Sequence, residues 1–257
     1  MSIELAPRHK VGLTLQHPLL VANATAELLP LLAGPQALGA LIAPEVGSRA
    51  RKPLRMVRRP GGLAREVGRG ALSLSGLRAL VRAAGDLPVL GRVLGADPTA
   101  AVRAAERLAE EGVQGVVLDL PPGNPVAAED TVARVLAAVD VPLIAQVPLL
   151  EALPFAEACY QGGADALLVA GPAHGLVALD DPHSPLPVEV HGPLLHPLYL
   201  LAVREVARRV PLPVIARGGI YTPADARAFL AQGAMAVAVD SLAFVDPAAV
   251  AHIASET

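Results

Sequence analysis

The stretch IARGGIYTPADARAFLAQGAMAVAVDS, which ends at Ser241, combines a glycine turn with a hydroxyl in the manner of a phosphate site. It predicts a strand, a turn, a helix and a second strand. Gly218 and Gly219 would let backbone amides approach an anion, and Ser241 would add a donor beside the positive end of the next helix. Asp240, however, repels a phosphate unless a cation such as Arg217 intervenes. Three arrangements stay open. In the first, Arg217 reaches the phosphate while Asp240 caps the last helix. In the second, the two residues pair and fill the phosphate site, and in the third they form an ordinary structural ion pair at the top of the barrel.

Further polar residues stand where predicted strands end, which is where barrel enzymes place their chemistry. Glu45 and Asp119 would supply a pair of carboxylates, and Gln146 ends another strand. Carboxylates at strand ends also cap turns, so a structural role is the alternative for both. Asp119 is the strongest single candidate for a polar role. The other residues at predicted strand ends are Asn23, Arg92, His174, Arg217 and Asp240.

The histidines and the single cysteine are assigned no chemistry. His174, His183, His191 and His196 lie near one long predicted loop, but their spacing matches no structural zinc pattern, so no metal is predicted. Cys159 falls in the apolar helical pattern LPFAEACYQGG, which is typical of a core position.

Composition narrows the classes of partner. The chain has 257 residues, 53% of them hydrophobic, a net charge of −3 and only 2% aromatic residues. Interspersed charges and few aromatics disfavour nucleic acid and membrane surfaces, so a small-molecule substrate or a phosphorylated ligand is expected.

The first residues lack the apolar core of a signal peptide, and no run approaches the ~20 apolar residues of a membrane span. We therefore expect a soluble, cytoplasmic protein.

Two kinds of junction alternate along the chain and predict βα repetition. In AEEGVQGVVLDLP, CYQGGADALLVAG and LAQGAMAVAVDS a helix ends at glycine before an apolar strand, whereas DLPVLGRV, DVPLIAQV and PLPVIARG place proline at a strand entrance. With HPLLVANAT and LGALIAPEV upstream, eight units result. The prediction is a single domain over residues 1–257, a (β/α)8 TIM barrel with a short N-terminal β-hairpin over its bottom. The six later strands are predicted to begin near residues 88, 115, 142, 166, 213 and 236.

Two stretches interrupt this repetition. Residues 171–193 add about twenty residues after the sixth strand, and such long loops are often lids or binding loops, here over the barrel mouth. Residues 47–70 carry six Arg or Lys between Arg49 and Arg59. We interpret the second stretch as a solvated or interface loop, with an anion-binding loop as the alternative.

From the hairpin to the last strand, the chain resembles the dihydroorotate dehydrogenase family, FMN-dependent barrels that oxidise dihydroorotate to orotate. The segment from VHGPLLHPLY to AVAVDS parallels that family's Ser-Gly-Pro, Gly-Gly-Ile and Val-Gly-Thr segments in order and spacing, and HPLLVANAT and LGALIAPEVGSRARKPLRMVR follow its first two strands. The resemblance implies an FMN cofactor and a homodimer or a partner subunit. The cofactor-binding positions that it implies are Ala22, Asn23, Gly192, Arg217, Gly218, Gly219, Asp240 and Ser241.

The sequence departs from the family on the substrate side. Pro122, in DLPPGN, stands where the family has its catalytic Cys or Ser base, and proline cannot take a proton. Pro44 and Gln146 replace two lysines that would stabilise an anionic product and a reduced flavin. Arg65 falls on or near a substrate-loop asparagine. The other departures are Gly171-Pro172 for an Asn-Thr pair and Asp240 for a glycine.

These departures leave two functions open. The first is an oxidoreductase with an altered, unknown substrate, in which Asp119, Gln146 and Glu45 are the candidate catalytic residues. The second is a degenerate, non-catalytic barrel, a pseudoenzyme with a weakened or lost flavin site. Such a barrel would act as a binding or scaffold subunit through residues 49–59 or residues 171–193.

Overall fold

The computed structural model describes residues 2–32, 37–47, 55–59, 61–67, 71–178 and 183–257. The strands are β1 (Ile3–Glu4), β2 (Thr14–Leu15), β3 (Leu19–Ala22), β4 (Ala40–Glu45), β5 (Met56–Arg59), β6 (Gly62–Glu66), β7 (Val89–Leu94), β8 (Gly115–Asp119), β9 (Leu143–Val147), β10 (Ala166–Val169), β11 (Ala173–Val177), β12 (Leu186–His191), β13 (Val214–Arg217) and β14 (Ala236–Val239). The α-helices are α1 (Leu74–Ala84), α2 (Pro98–Glu110), α3 (Pro125–Ala138), α4 (Ala152–Gln161), α5 (His196–Arg209), α6 (Pro223–Ala231), α7 (Ser241–Val245) and α8 (Pro247–Glu256).

Four helices begin where the sequence supplies a capping side chain followed by proline. The side chains of Asp97, Asn124, Thr222 and Asp246 accept hydrogen bonds from the first turns of α2, α3, α6 and α8. Proline fits the first helical position because its fixed φ suits the helix and no donor is needed there. These caps fix where each helix starts relative to the strand before it.

Eight parallel strands close into a barrel in the order β10, β13, β14, β3, β4, β7, β8 and β9. The predicted (β/α)8 barrel is confirmed, and β7, β8, β9, β10, β13 and β14 begin within one residue of the predicted starts. Between β3 and β4 the described residues contain a 3-10 helix, Leu29–Leu31, rather than an α-helix. The predicted N-terminal hairpin is also confirmed, as β1 pairs with β2 in antiparallel fashion.

The apolar residues form two cores. One lies between the strands and the surrounding helices, and it includes Cys159, whose burial raises the pKa of its thiol to about 12. The other fills the barrel interior, where Leu90 and Ile215 pack with Leu5 and Leu15 of the hairpin segment. The hairpin therefore closes the bottom of the barrel with apolar side chains, and the opposite end remains for polar residues.

A four-stranded antiparallel sheet, in the order β11, β12, β6 and β5, lies outside the barrel. It differs from the loops predicted for residues 47–70 and 171–193, because β12 of the second stretch pairs with β6 of the first. Apolar and polar residues alternate in the VEVH part of β12, whereas β6 has two adjacent buried apolar residues, Leu63 and Ala64. The basic residues at positions 49, 51 and 52 lie outside the described residues. Within the described part of the chain, no helix is long and apolar enough to cross a membrane.

Candidate functional site at the barrel mouth

Strand alternation places a polar layer at the C-terminal end of the barrel interior. Side chains alternate between the two faces of a strand, so a residue two positions after an inward apolar residue also points inward. Leu90 and Ile215 belong to the interior core, which directs Arg92 on β7 and Arg217 on β13 to the mouth. The same rule brings Asp119 and Gln146 to the same level, above Val117 and Ile144.

Six side chains at this level form one closed ring of hydrogen bonds, which we call the polar ring. Two of its members are aspartates and two are arginines, so its formal charges cancel. Its members lie on, or directly after, six different barrel strands. In order around the ring they are Asp119, Arg92, Asn23, Asp240, Arg217 and Gln146, which returns to Asp119.

One half of the polar ring is centred on Asn23. Arg92 donates to Asp119 through Nε and Nη2, and its Nη1 lies 3.4 Å from Asn23 Oδ1. Asn23 Nδ2 then donates to Asp240 Oδ1 at 2.7 Å. Asn23 has a φ of 57°, in the left-handed region that asparagine tolerates better than most residues. The amide thus links a cation on one side to a carboxylate on the other.

The other half is centred on Arg217 and Gln146, whose exposed fractions are 2% and 0%. Arg217 Nη2 donates to Asp240 Oδ2 at 2.5 Å, and Nη1 donates to Gln146 Oε1. Gln146 Nε2 donates to Asp119 Oδ1. Arg217 and Asp240 pair, as in the second and third of the three arrangements left open above. Both carboxylates of the ring therefore accept hydrogen bonds on both of their oxygens.

The buried charges of the polar ring stabilise one another. Burial would raise the pKa of Asp240, but the nearby charges of Arg217, His191 and Arg65 lower it well below its usual value. Burial would lower the pKa of Arg92, but the charge of Asp119 outweighs this and raises it. Such pairs recover their desolvation cost only when every charged group is bonded, and the closed ring meets that condition.

A second polar tier, contributed by β6 and β12, covers part of the ring. Arg65 forms a buried ion pair with Glu189, and His191 Nε2 lies 3.6 Å from Glu189 Oε2. His191 Nδ1 lies 3.8 Å from Asp240 Oδ2, which connects this tier to the ring. Burial would raise the pKa of Glu189, but its contact with His191 and the charges of Arg65 and Arg92 lower the pKa to about 2.

The shifted pKa of Glu189 predicts a loss of stability in acid. Its pKa in the folded state lies below the usual value of 4.5, so the stabilisation is present above that pH and is lost as the pH falls toward about 2. We expect Glu189 to contribute on the order of 3 kcal/mol to the decline in the free energy of unfolding over this window. Urea unfolding titrations at several pH values measure this decline in the free energy of unfolding. In Glu189→Gln the decline should be shallower, whereas exposed Glu157→Gln should keep the wild-type slope, and equal slopes in all three proteins would contradict the assignment.

A cavity of about 160 Å³ lies between the polar ring and the second sheet. Both arginines of its wall are paired, Arg65 with Glu189 and Arg92 with Asp119. Among the described residues, the carboxylate of Glu45 forms no hydrogen bond or ion pair. The lining residues are Asn23, Pro44, Glu45, Arg65, Glu66, Val67, Ala71, Arg92, Leu94, Asp119, His174 and Glu189.

The predicted phosphate position is filled by neighbouring side chains. Ser241 Oγ lies 2.8 Å from Tyr221 Oη, so the two hydroxyls bond to each other. A Cβ at Gly218 would lie 2.6 Å from the ring of Tyr199, and Gly219 packs against the backbone of His196 at the start of α5. These glycines have positive φ values, 103° and 69°, and both allow close packing of the turn against α5.

The space between Asp240, Ser241 and the second sheet is about 10 Å³. A void of this size holds at most one water molecule, since about 10–15 Å³ is needed for that. The described residues therefore leave no room there for the phosphate of a mononucleotide. The larger cavity is also smaller than the roughly 300–1,000 Å³ of pockets that bury ligands of this class.

The structure brings most of the predicted site residues together, but not in the predicted roles. Asp119 and Glu45 line the same cavity without forming a carboxylate pair, because both oxygens of Asp119 accept from Arg92 and Gln146. Pro122 is exposed in the loop between β8 and α3. Ala22 is buried on β3 among the interior apolar residues.

Two predicted residues have structural explanations in the second sheet. Gly192 allows close approach of the turn before β6, because a Cβ there would lie 2.3 Å from the carbonyl oxygen of Gly61. His174 is not at a barrel strand end; it lies on β11, opposite Glu189 of β12. Sequence reasoning missed the group formed by Arg65, Glu189 and His191, although the alternation in LPVEVH was a signal for a strand. Within the described residues, no group of three or more His, Cys, Asp or Glu side chains is arranged to hold a metal ion.

Comparisons with known proteins give a consistent result. A family model described as dihydrouridine synthase matches residues 122–257. The catalytic subunit of dihydroorotate dehydrogenase B (NAD(+)) from Desulforudis audaxviator is 32% identical over 280 residues, which cover 95% of this chain and 89% of that protein. Its counterpart from Pelobacter propionicus is 28% identical over 290 residues, covering 99% and 91%. The counterpart from Trichlorobacter lovleyi is 36% identical over 146 residues, covering 54% of this chain and 47% of that protein.

Proposed function

Because the chain belongs to the dihydroorotate dehydrogenase family of FMN-dependent (β/α)8 barrels, we propose that it is a binding member of that family, which takes up a small molecule at the barrel mouth without oxidising dihydroorotate. The observation that carries this proposal is the cavity of about 160 Å³ and the charge of its wall. A cavity at the C-terminal end of the strands is where barrels of this kind bind their ligands.

Neither the family's base position, Pro122, nor Asp119 is placed to abstract a proton from dihydroorotate. A general base must lie within hydrogen-bond reach of the proton and hold a free lone pair. Pro122 has no ionisable group and does not line the cavity, and Asp119 already accepts three hydrogen bonds within the polar ring. Glu45 is partly exposed at the rim, which suits it to binding a ligand.

The charge of the wall favours a small cation. In the wall, Asp119 and Glu189 are each paired with an arginine, whereas Glu45 forms no ion pair with a described residue. Because both arginines are paired with carboxylates, neither offers an uncompensated positive charge to an anion. An amine or amidine of roughly benzene size suits both this charge and this volume, since a cavity of about 150 Å³ holds benzene. The proposed ligand class is therefore a small organic cation.

Benzamidine and benzoate test this proposal, because they have similar size and opposite charge. Benzamidine should raise the melting temperature of the purified protein and give saturable binding by calorimetry, whereas benzoate should do neither. Glu45→Gln should weaken benzamidine binding by about tenfold, equivalent to 1.4 kcal/mol, and exposed Glu106→Gln should leave it unchanged. Equal binding of the two probes, or binding that is insensitive to Glu45→Gln, would contradict the proposal.

A dihydroorotate oxidation assay tests the absence of catalysis. With FMN and an artificial electron acceptor supplied, the wild-type protein should form no orotate above the rate without protein. Pro122→Cys, which restores the family's base, should also be inactive, since this position lies outside the cavity. Orotate formation by the wild-type protein would show that the chain retains the family's reaction.

An oxidoreductase with a changed substrate is the second candidate. Family membership favours it, as does the position of Gly218 and Gly219 directly after β13 and of Ser241 after β14. This candidate requires bound flavin, so a measurement of flavin content separates it from the binding function.

A further inference from the structure

The glycine turn that would hold a flavin phosphate is present, but the polar side chains beside it are engaged within the chain. Both oxygens of Asp240 accept hydrogen bonds, from Asn23 and Arg217. Ser241 bonds to Tyr221, and the carbonyl oxygen of Gly219 lies 3.2 Å from His196 Nδ1. A phosphate entering here would have to break several of these interactions.

Electrostatics oppose a phosphate at this position as well. The carboxylate of Asp240 is buried and its pKa is lowered, so it is ionised at neutral pH. Like charges a few ångströms apart in a partly dry protein repel each other strongly, and a dianion doubles that repulsion. Arg217 cannot offset it, because its guanidinium is already bonded to Asp240 and Gln146.

We infer that the polar ring stands in place of the cofactor: the chain folds without FMN, and Asp240 is the residue that closes the phosphate subsite. The inference concerns the cofactor alone, so it holds or fails independently of the cation-binding function proposed above. Its geometric basis is the closed ring of six side chains together with the void of about 10 Å³ beside Asp240 and Ser241.

Replacing Asp240 by the family's glycine should reopen the subsite. Glycine removes the carboxylate and leaves Arg217 as a cation facing the vacated space, next to the amides of the Gly218 turn. Asp240→Asn, by contrast, keeps the side-chain volume, so the subsite should stay closed. The double variant Arg217→Ala/Asp240→Gly removes both charges together, which avoids leaving an arginine unpaired if the single variant folds poorly.

The experiment measures quenching of FMN and riboflavin fluorescence, with absorbance spectra of the purified proteins. Wild-type protein should be colourless and bind FMN with a dissociation constant weaker than about 0.1 mM. Asp240→Gly should bind FMN at least about tenfold more tightly, a change of 1.4 kcal/mol, without a comparable gain for riboflavin, which lacks the phosphate. Asp240→Asn and the exposed control Asp140→Gly should behave as wild type.

Three outcomes would overturn the inference. The first is purified wild-type protein that carries FMN near one per chain. The second is wild-type binding of added FMN with a dissociation constant tighter than about 0.1 mM. The third is a folded Asp240→Gly variant and a folded double variant that both show no gain over wild type. If neither variant folds, the flavin content and the FMN affinity of the wild-type protein decide whether the inference holds.

Discussion

Arg217→Ala is expected to lower the free energy of unfolding by about 3–5 kcal/mol. The guanidinium is 2% exposed and donates to both Asp240 and Gln146, so its removal leaves a buried carboxylate without its cation. An uncompensated charge in a dry site costs far more than the net gain from a well-formed pair. Urea unfolding followed by circular dichroism at neutral pH measures the change.

Two further variants separate the charge effect from simple truncation. Arg227→Ala removes an exposed arginine paired with Glu256 and should cost less than about 1 kcal/mol. Arg217→Ala/Asp240→Ala removes both charges and should be more stable than Arg217→Ala alone, because no carboxylate is left unpaired. If the double variant is instead less stable than wild type by the sum of the effects of Arg217→Ala and Asp240→Ala measured separately, the two residues are not coupled.

Gln146→Lys, which restores the residue typical of the family, is expected to destabilise this chain by about 3 kcal/mol or more. Gln146 is fully buried, and its Oε1 accepts from Arg217. A lysine would place an ammonium group against that guanidinium and remove the acceptor. Attraction between the ammonium group and Asp119 is limited, since that carboxylate is already paired with Arg92.

The matched control is Gln161→Lys, at the exposed C-terminal end of α4, where a cation suits the helix dipole. It should change the free energy of unfolding by less than about 1 kcal/mol. A Gln146→Lys protein as stable as wild type would mean that the mouth accepts the family's charge, and that the polar ring is more adaptable than its hydrogen bonds indicate.

The barrel could be predicted because its signals are local. Glycine after some helices and proline before the other strands mark junctions within a few residues of sequence, and Gly112, Gly163 and Gly233 have the positive φ that such glycine-ended helices require. The same local pattern identified Asp119, Gln146 and Asp240 as residues at strand ends. Parallel strands in a closed barrel bring such ends to one mouth, so their proximity followed from the fold.

The contacts among these residues could not be predicted, because each depends on distant partners. Arg217 had a phosphate or Asp240 as alternative partners, and only the three-dimensional arrangement decides between them. The second sheet depends on pairing between β6 and β12. The sequence of neither strand contains a local signal that identifies the other as its partner. Without that sheet, Arg65 and Glu189 had no reason to be placed together above the barrel.

The hydrogen bond from Asn23 to Asp240 joins residues 217 positions apart and crosses the seam where β14 meets β3. Synthesis on the ribosome delivers the N-terminal strand long before its C-terminal neighbour exists. Until the last strand emerges, β3 has an open edge, and Asn23 lacks the carboxylate of Asp240, which is synthesised near the end of the chain. Completion of the seam is therefore the step that turns a growing chain with an exposed strand edge into a closed barrel.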